Sequence, residues 1–297
     1  MRVTSQSTYI AMTTALGTGL SRIQDLQAKL GSGYRINNLS DDPVGAATAL
    51  HYRSLEADAA AYSGSADDAK AWLGLADTQL GSMTTALGKV RELAVQANND
   101  SLSPHARQAI GAELGSLRAE LADLANTSQG SQALFGGFAK TAVTRAADGT
   151  WSYTGDDGKV TRRVGAGVTI YANISGRAAF GFDQPAGKDL LSVVDAIAAH
   201  ALTGDKAGLA VDQADLLQRT NGVLGARGTA GTTTNRVEAA QARGKQYADQ
   251  ITAERSQIED VDLAQAILQL NSAQTGYQAA LGAVAKANMP SLAQFLR

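Results

Sequence analysis

Cysteine is absent from the 297 residues. That excludes a disulfide framework, a thiolate metal site and a thiol nucleophile. A chain without thiols also cannot be cross-linked in an oxidising space, which suits export in the unfolded state. Prolines number four and aromatic residues make up 5 per cent. A charge of one sign is missing too: the formal net charge is −2, with lysine and arginine scattered. Nothing resembles a basic stripe for nucleic acid or an anionic membrane. No apolar run approaches the ~20 residues that a membrane span needs. The start, MRVTSQSTYIAMTT, has one arginine but neither a continuous apolar core nor a cleavage site, so a Sec-type signal peptide is not expected.

Catalytic and metal-binding patterns are also missing. His51, His105 and His200 stand alone, and no HExxH pair occurs. GFDQPAGKD (181–189) superficially resembles a phosphate loop, but its spacing is one residue too long and Asp189 stands where Ser or Thr would hold magnesium. Asp260 and Asp262 in IEDVD are two apart, so a helix would point them to different faces as solvated charges. There is no G-x-S-x-G and no dinucleotide fingerprint. Catalysis, cofactors and metals are therefore not expected.

What is present is a bias towards Ala, Leu, Gln and Arg, residues that favour long helices. Tyr9, Leu16, Ile23 and Leu30 recur every seven residues, with Met12 and Leu26 at the complementary positions and Gly19 as the exception. This seam marks a helix over 6–30 that packs in a bundle or coiled coil. A second seam has Leu73, Leu80, Leu87 and Ala94 in one phase and Ala76, Met83, Val90 and Ala97 in the other. Ser103-Pro104 reads as an N-cap and first helical residue, followed by a stripe of Ile110, Leu114, Leu117, Leu121 and Leu124 that ends at Asn126-Thr127. Leu190, Val194 and Ile197 share a face, and Leu209, Leu216 and Val223 are seven apart. GARGTAGTTTN (225–235) reads as a break. From Arg236 to Ala287 the pattern is helical throughout, with a phase slip near IEDVD. There Leu263, Leu270, Tyr277 and Val284 take over the seam, flanked by Ile267 and Leu281.

Residues 136–182 lose the helical period. Trp151 and Tyr153 alternate with small polar residues, Gly155-Asp156-Asp157-Gly158 supplies a turn, and Val160, Arg162 and Val164 resume the alternation. This predicts a β-hairpin across that turn, with a further strand through Val168, Ile170, Ala172 and Ile174. The aromatics Trp151, Tyr153, Tyr171 and Phe180 either pack this small sheet or, in a binding reading, face an external ligand.

The stretch GSGYRINNLSDDPVGAA (31–47) lies between two helices. Gly31 and Gly33 follow Leu30 where a helix C-cap favours glycine. Ser40 or Asp42 can cap the next helix, Pro43 suits its first turn, and Asp41 and Asp42 favour the positive end of its dipole. Capping and turn formation account for Gly33, Ser40, Asp41, Asp42 and Pro43 without catalysis. The first and last helices are natural partners. A two-stranded pair leaves much of each seam uncovered, so these helices are expected to gain stability when further copies or partners close over them.

The string KLGSGYRINNLSDDPVGAA resembles the N-terminal signature of the flagellin-like family, through Leu30, Ser32, Gly33, Ile36, Asn37, Asp41 and Asp42. Pro43 after the aspartates, LANTSQGSQALFGG (124–137) and the aromatic insert are closer to the junction branch of that family than to flagellin itself. IEDVDLAQAILQLNSAQTGYQAALGAVAKANMPSLAQFLR resembles the shared C-terminal segment. The resemblance implies a mainly α fold with a small β insert: an elongated, flagellin-like helical bundle whose N- and C-terminal helices form a coiled coil. It implies five regions: an assembly helix and turn (1–40), bundle (41–135), a small antiparallel β domain (136–184), bundle (185–232) and a long C-terminal helix (233–297). It further implies a non-enzymatic, exported subunit at the hook–filament junction of the bacterial flagellum. The expected partners are further copies in a ring, a neighbouring hook-associated protein, flagellin and a cytosolic export chaperone near the C-terminus. A short flagellin is the alternative.

Overall fold

The computed structural model describes residues 2–287, with backbone alone for 2–6, 8 and 287. Seven helices and six short strands follow in order: α1 (Arg2–Ser32), α2 (Pro43–Ala97), α3 (Pro104–Ala125), β1 (Ser128–Gln129), β2 (Gln132–Ala133), β3 (Val143–Arg145), β4 (Trp151–Tyr153), β5 (Thr161–Gly165), β6 (Val168–Tyr171), α4 (Gly176–Phe180), α5 (Leu190–Thr203), α6 (Lys206–Glu259) and α7 (Leu263–Ala287). The fold is mainly helical with a small β insert. The chain divides into two compact units, one of residues 59–246 and the other of the residues up to 58 with those from 247 onward. The helices α2 and α6 each contribute to both.

The 59–246 unit has one continuous hydrophobic core. The α2 seam residues Leu73, Leu80, Met83, Leu87 and Val90 are all fully buried there, with Leu114 and Leu121 of α3, Ile197 of α5 and Leu209 and Val223 of α6. Local chemistry sets the helix ends. The Ser103 hydroxyl accepts the Ala106 N–H at 3.2 Å and Pro104 opens α3. The Asp189 carboxylate accepts the N–H groups of Leu191 (3.1 Å) and Ser192 (3.0 Å) at the start of α5. The GFDQPAGKD segment thus ends in a helix cap, and Lys188 pairs with Asp215.

Three sequence expectations need correction. The 225–235 segment is not a break: α6 runs through it. Its glycines cost about 1 kcal/mol each against alanine. Tertiary contacts offset that cost: Ala226 and Ala230 are buried and the Arg227 Nε donates to Asp77 at 3.0 Å. Thr229, Thr233 and Thr234 turn their hydroxyls back onto carbonyls four residues earlier, at 2.8–3.0 Å. Conversely, helix does not continue through IEDVD, where α6 ends at Glu259 and α7 starts at Leu263.

The third correction concerns the insert. Strand β4 pairs antiparallel with the preceding β3, Val143 opposite Tyr153 and Arg145 opposite Trp151, not across the 155–158 turn. The turn between them contains Gly149 at a φ of 90°. Strands β5 and β6 form their own hairpin around Gly167, at a φ of 72°. Three two-stranded sheets result, with β1 and β2 as the third. The inward residues Val143, Val164 and Ile170 join the helical core.

The aromatics of the insert are mostly used internally. Phe180 meets Phe135 edge-on at 5.3 Å, and the Tyr153 hydroxyl donates to the Phe135 carbonyl at 2.8 Å. The Trp151 Nε1 donates to Asp195 of α5 at 2.9 Å, and Asp195 also pairs with Arg118 of α3. Tyr171 is exposed, with the Lys159 ammonium 4.8 Å from its ring centre.

Candidate functional site: the terminal helix pair and its clasp

Within the other unit, α1 packs against α7. The order of burial along the pair is informative. Ile23 and Leu26 on α1 are buried, as is Ala266 on α7. Met12, Leu16 and Leu30 on α1, with Leu270, Tyr277 and Val284 on α7, are half-buried. Tyr9 (52%), Leu263 (54%), Ile267 (49%) and Leu281 (44%) are exposed. The exposed large apolar residues also include Ile10, Leu20 and Leu268. The pair therefore keeps an open apolar surface, which a solitary chain in water leaves wet at a cost of ~25 cal/mol per Å².

Gly19, the gap in the α1 seam, has a simple use. A Cβ there would lie 3.3 Å from the Tyr277 ring, so the missing side chain lets the ring lie against the α1 backbone. Around this contact runs a shallow groove of about 530 Å³, lined by Ala15, Gly19 and Arg22 on one side and Ala273, Gly276 and Tyr277 on the other. Thr13, Thr14 and Thr18 of α1 donate their hydroxyls to carbonyls of their own helix one turn back, at 2.9–3.1 Å.

The loop between α1 and α2 is closed by its own side chains. Gly33 ends α1 with a φ of 79° and donates its N–H to the Lys29 carbonyl at 2.9 Å. Asp41 accepts the N–H groups of Asn38 (2.9 Å) and Asn37 (3.1 Å), which hold its carboxyl below the ordinary aspartate range. The cap of α2 is Asp42, not Ser40. Its Oδ1 accepts the Gly45 N–H at 2.9 Å, which with the Arg35 guanidinium lowers its pKa, and Pro43 is the first helical residue. A Cβ on Gly45 would lie 2.8 Å from Ile36 Cδ1 and against the Asp42 carboxylate, so a side chain at that position would push the cap aside.

This loop is also clasped to the α6–α7 break. Tyr34 and Asp260 form an antiparallel bridge. The Arg35 N–H donates to the Glu259 carbonyl at 2.7 Å and the Val261 N–H donates to the Gly33 carbonyl at 3.0 Å. The Arg35 guanidinium donates to the Ile258 carbonyl at 2.7 Å, satisfying one of the orphan carbonyls at the end of α6, and lies 3.3 Å from Asp42. Glu259 is 3% exposed and pairs with Arg53 of α2 and, at 3.8 Å, with Arg255. Arg255 in turn lies 3.3 Å from Glu56. Asp262 is no idle surface charge, because its Oδ1 accepts the Gln265 N–H at 3.0 Å and caps α7. Asp260 accepts the Ser256 hydroxyl.

Sequence reasoning placed Gly33, Asp41, Asp42 and Pro43 in a turn but missed Arg35, Arg53, Arg255 and Glu259. Arg255 and Glu259 carry the one local signal, an i,i+4 pair, but the contacts that close the clasp join groups some 200 residues apart, which no periodicity reveals. His200, read as isolated, lies with its Nδ1 2.6 Å from Asp212 Oδ2 at the α5–α6 turn. Among the described residues no helix is long and apolar enough to cross a membrane. The tail around Gln294-Phe295-Leu296-Arg297, and the chaperone contact expected near it, lie largely outside the described residues.

The two ends of the chain that supply this terminal helix pair each match a family model. The bacterial flagellin N-terminal helical region matches residues 3–139 and the bacterial flagellin C-terminal helical region matches 215–296, together about three-quarters of the chain. The chain belongs to the bacterial flagellin family. Over nearly full length it is similar to flagellar hook-associated protein 3 of Salmonella typhimurium (26% identical, 88% of this chain and 89% of the relative). It is equally similar to that of Escherichia coli (27%, 94% and 96%). The flagellar filament 33 kDa core protein of Treponema phagedenis is 27% identical over 96% of this chain and 94% of its own. The fold matches the crystal structure of flagellar hook-associated protein 3 from Legionella pneumophila, with a TM-score of 0.63 over 70% of this chain and 98% of that one at 16% identity.

Proposed function

We propose that this chain is a structural adaptor of the bacterial flagellum that joins the hook-associated ring to the flagellin filament. Its work is self-assembly and docking through the open seam of α1 and α7, without catalysis. The seam comprises Tyr9, Met12, Leu16, Ile23, Leu26 and Leu30 with Leu263, Ile267, Leu270, Tyr277, Leu281 and Val284. Further copies in a ring, a neighbouring hook-associated protein and flagellin are the partners that would cover it, after export assisted by a cytosolic chaperone. The observation that carries the reading is the row of apolar side chains left exposed on α1 and α7. A chain destined to stay solitary has no reason to keep Leu263, Ile267, Leu268 and Leu281 in water. The full-length similarity to two hook-associated proteins 3 supports the junction role over the filament role.

Leu16→Asp and Leu281→Asp place a carboxylate in that seam. Each is expected to abolish incorporation into flagella, scored by immunolabelling of purified filaments, while circular dichroism shows the 59–246 unit still folded. Normal incorporation by both variants would refute the seam model. The filament similarity keeps a short flagellin as the second reading. Purified protein that polymerises unaided into micrometre-long filaments would establish that reading instead.

A further inference from the structure

We propose that the clasp between the 33–42 loop and the 258–262 break is a register lock, which starts the pairing of α1 with α7 and sets which residues of the two seams meet. The inference holds whether the chain joins filaments or builds them, because it concerns contacts within one molecule.

Two observations support it. First, the clasp stands where α1 ends and α7 begins. Gly33 follows the last residue of α1 and Val261 precedes the first residues of α7 by two, and they are joined by a 3.0 Å backbone hydrogen bond. Second, nearly the same register, to within two residues, persists along the pair. Moving fourteen residues back from Gly33 reaches Gly19, moving sixteen forward from Val261 reaches Tyr277, and these two touch. A heptad seam alone cannot choose this register, because a shift of seven residues superimposes apolar positions on apolar positions again.

The chemistry of the clasp suits a lock. Glu259 is almost fully buried, so removing its charge takes the acidic partner from Arg53 and leaves Arg255 with Glu56 alone. Arg35 holds the α6 terminus through a carbonyl and the α2 cap through a carboxylate, so one side chain ties both ends of the clasp. Its guanidinium is half exposed, so its truncation is expected to spare the global fold.

The absence of native cysteine makes a direct test simple. Two reporter pairs are introduced into the full chain: Ala15→Cys with Ala280→Cys, in register, and Ala15→Cys with Ala273→Cys, one heptad out. All three alanines line the same groove or its rim, and one heptad is about 10 Å along a helix. Oxidation or a short bifunctional reagent is applied to dilute protein, so that only intramolecular bonds form. With the clasp intact, the in-register pair cross-links at least about tenfold faster than the shifted pair. Arg35→Ala and, separately, Glu259→Gln are expected to erase most of that preference, a change of about 1.4 kcal/mol for each factor of ten. Hydrogen exchange over residues 59–246 should stay unchanged. If both variants retain the tenfold preference, the clasp is not the register lock. If Glu259→Gln loses the fold, the Arg35→Ala result alone decides.

Discussion

The heptad in α2 and the heptad in α7 look alike in sequence and end in opposite environments. Leu73, Leu80 and Leu87 are sealed in a core, whereas Leu263 and Ile267 are half in water. The difference lies in what covers them. In the 59–246 unit, α2 is met by α3, α5, α6 and the hairpins, which contribute to one continuous core. In the terminal unit α1 and α7 cover each other on one side and leave the other open. A seven-residue period fixes a helix and its apolar stripe, but not the number of neighbours that stripe will have.

The contrast can be broken where it is widest. Leu80→Ala empties a fully buried site in the 59–246 core and should cost about 3–5 kcal/mol. Chemical denaturation monitored by circular dichroism would read that loss; a change under 1 kcal/mol would mean the core is looser than its burial indicates. A smaller effect is expected where the insert is tied to the helices. Asn126 accepts the N–H groups of Ala142 and Val143, both at 2.9 Å, and donates to the Val143 carbonyl at the same distance. Asn126→Ala leaves these groups unpaired and should cost about 1–3 kcal/mol, with faster exchange confined to residues 141–145. Retained protection there would show that the β3–β4 hairpin holds itself.

The smallest effect belongs to the terminal unit. The folded pKa of Asp41 is depressed, chiefly by the Asn38 N–H and then by that of Asn37. Its contribution is therefore present above the ordinary aspartate pKa and is lost as pH falls through that value towards the lower folded one. Amide exchange at Asn37 and Asn38 should rise over that acid window, after correction for the intrinsic pH dependence of exchange. In Asp41→Asn the step should vanish, and a step that persists would assign the protection to some other group.

Much of the local structure was legible. Ser103-Pro104 starts a helix, Gly33 ends one and Asp42-Pro43 starts the next, because caps use groups within four residues of each other. The aromatic stretch was recognisable as β, but its partner was misplaced. Two turns offer themselves around Trp151, and only packing against Asp195 and Phe135 selects the earlier one. The 225–235 run of glycine and threonine read as a break because what sustains the helix there, the burial of Ala226 and Ala230 and the pairing of Arg227 with Asp77 of α2, depends on groups distant in sequence.

By itself, then, the sequence determined where helices can begin and end, which faces of them are oily, and that thiols, membrane spans and familiar catalytic motifs are missing. The caps and apolar faces follow from spacings of seven residues or fewer, which any short peptide already contains. Only the tertiary structure decided that Arg35 would hold the end of α6, that Glu259 would be buried between two arginines, and that one apolar stripe would be sealed while its twin stayed open. Those outcomes depend on groups some 150–220 residues apart, and chain closure over such distances is settled by the sum of all contacts rather than by any local pattern.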